Sequence, residues 1–218
     1  MTTNRASTIA ITLVLLMAPA AITQTQQSRT ADYDAVRDFT IASNPNQAWS
    51  YGWEATLGDP LNLYTASETD CREGFSAWRI QDGCGYVPLV GHNDVGKEVC
   101  DEQNQLCLPP GYIYLHPGPT GNLSVVRWTA PVTGRFLIYG SFVGLDMDNG
   151  GTDVHVLVNS KRSLLSGSVD RYKWPLTFQF TMWFSAGDTL DFAVGYGLDR
   201  SYNDDSTGVQ FKLVRLGR

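Results

Sequence analysis

The clearest indication of the fold is a run of residues in the second half of the chain: Val125-Val126-Arg127-Trp128-Thr129-Ala130-Pro131-Val132-Thr133-Gly134-Arg135-Phe136-Leu137-Ile138-Tyr139-Gly140. Apolar and polar residues alternate along it with a period of two, and the Pro131 and Gly134 region interrupts the alternation as a turn does. Similar short runs, separated by Gly, Pro, Asn and Asp, continue to the end of the chain. We therefore expect an all-β domain, a two-sheet antiparallel β-sandwich of jelly-roll type with a disulfide-stapled loop insertion.

Further strands are predicted on both sides of this run, and the segment Tyr33–Ser43 is predicted to be extended. The predicted strands are Trp49–Trp53, Leu61–Tyr64, Phe75–Ile80, Tyr112–His116, Leu123–Trp128, Arg135–Phe142, Thr152–Val158, Ser163–Val169, Leu176–Phe184, Thr189–Tyr196 and Gly208–Val214. Asn-Gly readily adopts the positive φ of a tight turn. The sequence Asp148-Asn149-Gly150-Gly151 therefore predicts a hairpin that pairs Thr152–Val158 with the strand before it.

The first residues are typical of a secretory signal peptide. An apolar run from Ile9 to Ile22 follows the charged residue Arg5, and cleavage is predicted after Ala20 or Ala21. A membrane anchor is the alternative, but the run is shorter than the roughly 20 apolar residues that a spanning helix needs. We expect a signal peptide over 1–20, a polar tether over 21–31 and one β-sandwich domain over 32–218. The predicted location is secreted or periplasmic.

The charge of the chain argues against two classes of partner. Asp and Glu number 22 against 16 Lys and Arg, a formal net charge of −6, and no basic cluster occurs. Nucleic acids and anionic membrane surfaces attract basic patches. We therefore expect no nucleic-acid partner, and no membrane span in the mature chain. The sequence leaves the oligomeric state open.

The four cysteines lie within one polar segment: Cys71, Cys84, Cys100 and Cys107. None belongs to a Cys-x-x-Cys pair, which argues against a zinc site. An even number of cysteines in an exported chain indicates disulfides. Four cysteines allow three connectivities. Among them we favour Cys71–Cys84 and Cys100–Cys107, because each pair closes a short loop of turn-forming residues.

Several motifs together resemble a domain of exported bacterial proteins. They are Tyr33-Asp34-Ala35-Val36-Arg37-Asp38-Phe39, Ser43-Asn44-Pro45-Asn46, Trp49-Ser50-Tyr51-Gly52-Trp53, His116-Pro117-Gly118, Val126-Arg127-Trp128-Thr129-Ala130-Pro131 and Gly151-Thr152-Asp153-Val154-His155-Val156. Proteins with that domain often carry a C-terminal Pro-Glu-Pro sorting signal, and its layout is similar to jelly-roll carbohydrate-binding modules. The resemblance implies the fold and an extracellular setting. The second half is also similar in plan to the jelly roll of tumour necrosis factor and the complement globular heads.

Exposed tryptophans are the candidate ligand-binding residues, since a flat indole suits the apolar face of a sugar ring. Trp78 and Trp174 lie near loops rich in charge, and we predict that they form the platform. The row Trp49, Tyr51 and Trp53 is open to two interpretations, a second platform or the core of the sandwich. We favour the core, because aromatic side chains supply the largest apolar burial.

A cluster of oxygen donors suggests a metal site. Asp146, Asp148, Asn149 and Asp153 lie within eight residues, and Asp204-Asp205 adds two more carboxylates in another loop. Calcium prefers such ligands, although their spacing does not follow the helix-loop-helix calcium motif. Turn chemistry and solvation are the alternative interpretation. The sequence requires no cofactor, and it leaves open a structural calcium ion.

Catalytic signatures are not recognisable in this sequence. Asp153 and His155 lie two apart on one strand face, but their spacing supplies no nucleophile or second carboxylate. The predicted function is therefore an exported, non-catalytic binding module for a glycan or a cell-envelope polymer. A structural or adhesion protein of an extracellular matrix is the first alternative, and a glycan-cleaving enzyme is the second.

Overall fold

The computed structural model describes residues 32–69, 74–85, 87–102, 105–148 and 150–217. Within these residues the secondary structure is entirely β. The strands are β1 (Tyr33–Asp34), β2 (Trp49–Glu54), β3 (Asn62–Leu63), β4 (Ala66–Glu68), β5 (Phe75–Arg79), β6 (Leu89–Asn93), β7 (Val99–Cys100), β8 (Cys107–Leu108), β9 (Ile113–His116), β10 (Leu123–Thr129), β11 (Gly134–Gly144), β12 (Thr152–Val158), β13 (Arg162–Val169), β14 (Pro175–Phe184), β15 (Thr189–Val194) and β16 (Thr207–Leu216).

Two antiparallel sheets form the sandwich. The eight-stranded sheet has the order β14-β11-β16-β9-β6-β5-β4, with β1 pairing with β16 beyond the end of β9. The six-stranded sheet has the order β13-β12-β15-β10-β2-β3. Successive strands alternate between the sheets from β10 to β12 and again from β13 to β16, whereas β12 and β13 are neighbours in the six-stranded sheet. The predicted two-sheet β-sandwich of jelly-roll type is confirmed.

The predicted hairpin at Asp148–Gly151 is wrong. The chain changes sheets between β11 and β12, because β11 pairs with β14 and β16 whereas β12 pairs with β13 and β15. A turn-forming sequence reverses the chain in either arrangement, and both strands bury one face. Local chemistry therefore could not distinguish a hairpin from a crossing. Asn149 itself lies outside the described residues.

The core lies between the sheets and is rich in aromatic rings. Trp128 is fully buried, and its ring meets Phe136 and Phe184 edge-on at centroid distances of 5.2 and 5.3 Å. Phe192 stacks on Phe211 across the two sheets at 3.5 Å. The core interpretation of the row in β2 is also confirmed, since Trp49 and Tyr51 are buried and Trp53 packs partly against the same cluster.

The cysteine segment contributes strands to the sandwich and also forms a separate hairpin. Strands β5 and β6 belong to the eight-stranded sheet, whereas β7 and β8 form a separate hairpin. Cys100 and Cys107 face each other in this hairpin and form the predicted disulfide. Cys71 lies outside the described residues, so the Cys71–Cys84 pairing stays a prediction.

The signal peptide over 1–20 and the tether over 21–31 also lie outside the described residues. In the part of the chain that is described, no helix is long and apolar enough to span a membrane.

Candidate functional site

One half of the outer face of the six-stranded sheet is covered by the segment 55–61. Leu61 packs on an apolar patch of Leu123, Val125 and Ala193. Beside this patch the guanidinium of Arg127 donates to both carboxylate oxygens of Asp191. This part of the face is therefore covered by the chain itself.

A second carboxylate lies next to that ion pair. Glu54 is buried, 3.5 Å from Arg127, and its Oε2 accepts a hydrogen bond from the backbone N–H of Gly58. Burial raises the pKa of Glu54 to about 7, and the neighbouring charge of Asp191 acts in the same direction. One guanidinium thus faces two carboxyl groups.

The other half of the face carries a groove of about 750 Å³. Its floor is formed by β12 and β13 and its rim by the segment 195–199. Cross-strand pairing places Ser166 opposite His155 and Ser168 opposite Asp153, so these four side chains lie on one face. The groove is lined with groups that can form hydrogen bonds, among them Asp153, His155, Ser166, Ser168, Tyr196 and Asp199.

Asp153 and His155 form a hydrogen-bonded pair at the floor of the groove. His155 Nε2 donates to Asp153 Oδ2 at 2.7 Å, and the N–H of Gly197 donates to Oδ1 at 2.6 Å. Burial opposes the ionised form of Asp153, but these hydrogen bonds outweigh it and hold the pKa of this carboxyl below its usual range. Asp153 is therefore a fixed, ionised acceptor at neutral pH.

The groove ends at the loops that close this end of the sandwich. Gly197 adopts φ of +71° and lies so close to the carbonyl of Gly151 that a Cβ would stand 2.0 Å from its oxygen. This contact joins the segment just before β12 to the loop after β15. The cysteine hairpin packs here too, because Cys107 donates to the carbonyl of Leu145 and Met147 donates to that of Gln105.

Two buried carboxyl groups lie behind these loops. Asp205 is fully buried, and burial together with the charges of Asp199, Asp146 and Asp153 raises its pKa to about 7. Burial also raises the pKa of Asp146 to about 6, although the N–H of Ser206 donates to its Oδ2. Negative charge is thus concentrated at this end of the molecule.

The residues predicted to bind metal are distributed around this end rather than gathered at one point. Asp146 is buried and bonded to Ser206, Asp148 is exposed, and Asp153 is bonded to His155 and Gly197. Among the described residues, the one group of three ligand-type side chains within 4.8 Å is Glu98, Cys100 and Cys107, and the disulfide occupies both cysteines. The calcium site stays a prediction.

The two tryptophans of the predicted platform have opposite environments. The expectation that Trp78 is exposed is wrong: its side chain is 6% exposed, packs in the core, and donates through Nε1 to the carbonyl of Thr40 at 2.8 Å. Its strand is paired on both sides, with β4 and β6, which puts one face of β5 into the core. Trp174 is 67% exposed at the start of β14, so its exposure is confirmed and its role stays a prediction.

Sequence reasoning missed part of the site. It placed Asp153 and His155 on one strand face, as observed, but not the serines opposite them or Tyr196. The i, i+2 spacing of Ser166 and Ser168 in the following strand is the signal that was available. It also missed Trp183, which is 64% exposed near the far end of β14.

Solved structures that are similar to this chain include carbohydrate-binding modules. A family 51 module from Clostridium perfringens, solved with methyl-galactose, is 12% identical, with 69% of this chain and 94% of that chain covered and a TM-score of 0.36. A family 35 module from Clostridium thermocellum is 8% identical, with coverage of 66% and 90% and a TM-score of 0.31. Rabbit GITRL is 15% identical, with coverage of 43% and 71% and a TM-score of 0.28.

No protein-family model matches the sequence, and no curated protein matches it. The structural similarities are too distant to assign a ligand or a site to this chain.

Proposed function

We propose that this domain is an exported glycan-binding module and that the groove on β12 and β13 is its binding site. The observation that carries the proposal is the groove itself, about 750 Å³ in volume and lined with hydroxyl, imidazole and carboxylate groups. Sugars are recognised by several convergent hydrogen bonds combined with contacts to an aromatic or apolar surface. Tyr196 and the fully exposed Leu198 supply that surface at the rim.

Trp174 extends the proposed site. It follows Ser168 by six residues, at the turn from β13 to β14, which lies at the same end of the sandwich as the rim. A large exposed indole gains stability when it stacks on a ligand and contributes little to folding where it stands. Trp174 is therefore proposed to contact sugar units that extend beyond the groove.

Binding is favoured over cleavage by the placement of the carboxyl groups. Glycoside hydrolysis uses one ionised carboxylate and one carboxyl that stays protonated near neutral pH, on either side of the bond. Asp153 satisfies the first condition. Asp205 has the raised pKa of an acid, but its side chain is fully buried behind the loops and does not line the groove.

The test is to obstruct the groove without disturbing the fold. Ser166 is exposed on the edge strand β13, so Ser166→Trp places a large ring over the floor. Thr181→Trp, at an exposed position of β14 in the other sheet, is the matched control. A panel of neutral, amino and acidic oligosaccharides is screened on the wild-type domain, and every ligand found is titrated by calorimetry.

We expect Ser166→Trp to abolish binding and Thr181→Trp to leave it unchanged, with both variants folded. If no oligosaccharide of the panel binds at millimolar concentration, or Ser166→Trp binds as the wild type does, the proposal is wrong. Export is tested separately, by the mass of the secreted chain, which should begin at Ala21 or Ile22. A retained Met1 contradicts it.

A further inference from the structure

The two large sheets end in four edge strands, and one of these differs from the other three. β3 and β4 are only two and three residues long, and β13 has a register shift where it pairs with β12. Short strands and bulges protect a sheet edge from pairing with another chain. β14 instead runs for ten residues and pairs with β11 in continuous register. Among the described residues, β11 is its one neighbour in the sheet.

The residues of β14 do not discourage further pairing. Beyond Pro175 the strand has no proline, no glycine and no charged residue. Every second residue of an edge strand points its N–H and C=O groups away from the neighbouring strand. The apolar row of β14 that faces the core is also incompletely covered, because three of its members are only partly buried: Leu176, Phe180 and Met182. This side of the sandwich therefore presents backbone and apolar groups that another β-strand would cover.

The sequence of β14 is symmetric about its centre. Thr177-Phe178-Gln179-Phe180-Thr181 reads the same from either end, and Leu176 and Met182, both long and apolar, continue the symmetry. Two identical strands that pair antiparallel about a two-fold axis read each other in opposite directions. A surface that binds its own copy in this way must be self-complementary. The symmetry of β14 meets that condition, which favours a second copy of this chain over an unrelated strand.

Pairing about the central residue brings similar side chains together. With Gln179 on the two-fold axis, Thr177 lies opposite Thr181 of the partner subunit, and Phe178 lies opposite Phe180 of the partner subunit. Aromatic pairs and threonine pairs are favourable neighbours across an antiparallel pair of strands. All the cross-strand pairs from Thr177 to Thr181 are therefore compatible with this register.

Electrostatic repulsion does not oppose the contact, although the formal net charge of the chain is −6. β14 carries no charge of its own. Arg162 of β13 reaches the strand, with Nη2 3.9 Å from Sδ of Met182. The two-fold axis places Met182 opposite Leu176 of the partner subunit, so the two copies of Arg162 lie at opposite ends of the paired strands.

We infer that β14 pairs antiparallel with β14 of a second copy, in register about Gln179. The two eight-stranded sheets then form one continuous sheet across a two-fold axis. The pairing covers the partly buried row of β14 and gives partners to its outward backbone groups. Each copy uses its one long free edge, so the assembly closes as a dimer and does not extend into a fibre. This inference is independent of the proposed glycan binding.

The test places a charge on the two-fold axis. Gln179 is exposed, so Gln179→Lys and Gln179→Glu leave the fold intact while putting like charges opposite each other in a dimer. Gln210→Lys makes the same change in β16, two strands away from the edge, and is the matched control. The mass of each protein in solution is measured by sedimentation equilibrium from micromolar to millimolar concentration, and circular dichroism checks its fold. The two variants at position 179 are also measured as an equimolar mixture.

We expect a reversible dimer for the wild type and for Gln210→Lys. Gln179→Lys and Gln179→Glu should each raise the dimer Kd by roughly tenfold, because like charges then oppose each other directly. Their mixture should dimerise more tightly than either variant alone, since Lys then faces Glu. A wild type that stays monomeric at every concentration, or that forms species larger than a dimer, overturns the inference. So does unchanged dimerisation of both position-179 variants, and a mixture that recovers no dimer shows that the strands do not pair about Gln179.

Discussion

At the scale of single residues, the tryptophans divide into those that hold the fold and those that are free to meet a ligand. Trp128 has no exposed surface and lies among three aromatic rings, whereas Trp174 and Trp183 are each about two-thirds exposed. Trp128→Ala removes a large buried ring and leaves a cavity. We expect this change to lower the free energy of unfolding by roughly 3–5 kcal/mol.

The control for that prediction is the pair Trp174→Ala and Trp183→Ala, in which little buried surface is lost. The free energy of unfolding of each, measured in urea, should lie within about 0.5 kcal/mol of the wild-type value. If Trp174→Ala lowered the free energy of unfolding as much as Trp128→Ala does, the assignment of Trp174 to the surface would be wrong.

Glu54 makes stability depend on pH. Its pKa is about 7 in the folded protein and near the ordinary value of 4.5 in the unfolded chain. Between these values the folded state binds more protons, so stability falls as the pH rises from about 4.5 to about 7 and then levels off. Glu54→Gln removes this titration and keeps an acceptor for Gly58. The free energy of unfolding of the variant, relative to that of the wild type, should be higher at pH 8 than at pH 5 by on the order of 2 kcal/mol.

Urea unfolding of both proteins at pH 5 and pH 8 measures that difference. The exposed Glu102→Gln is the control and should keep the pH dependence of the wild type. An equal effect of Glu54→Gln at both pH values would show that Glu54 is ionised in the folded protein throughout this range.

At the scale of elements, the hairpin β7–β8 supports the loop end of the sandwich. Its disulfide closes a loop with a sequence separation of 7, which restricts the unfolded chain. Replacing Cys100 and Cys107 together by Ser should lower the free energy of unfolding by roughly 2–3 kcal/mol. It should also speed amide exchange in Met147, whose N–H donates to the carbonyl of Gln105 beside the hairpin. Unchanged exchange at Met147 would mean that the hairpin does not support this loop.

Prediction from the sequence worked for elements with a strong local pattern. Thr152–Val158 has the bounds of β12, and the Cys100–Cys107 loop was correctly paired. The choice of partner for β12 failed, because it depends on which sheet each strand joins, and a turn sequence does not encode this. Leu89–Asn93 was missed as a strand, since its Gly-His-Asn ending lacks apolar residues.

The candidate site was harder to predict for the same reason. His155 and Ser166 are brought opposite each other by the pairing of β12 with β13, and Trp78 is buried by strands on both sides of β5. Charged residues close to a tryptophan can be recognised in the sequence, but whether the tryptophan is buried depends on which strands pair beside it in the sheet.

At the scale of the whole molecule, the two outer faces suggest different uses. The outer face of the six-stranded sheet carries the groove and the acidic loop end. The outer face of the eight-stranded sheet carries Trp183 opposite Arg135 on the neighbouring strand. An assembly role, the alternative to glycan binding, would use that second face. Trp174 and Trp183 lie nine residues apart on an extended strand, about 30 Å, so a ligand on one is well separated from the other.

The most direct measurement of the central claim is a glycan titration followed by amide chemical shifts of the whole domain. We predict that the largest shifts fall on the groove, at Ser166, Ser168, Gly195 and Gly197, with the indole N–H of Trp174 shifting and that of Trp183 unchanged. Shifts concentrated around Trp183 and Arg135, or no shifts with any glycan at millimolar concentration, would contradict a glycan-binding groove on β12 and β13.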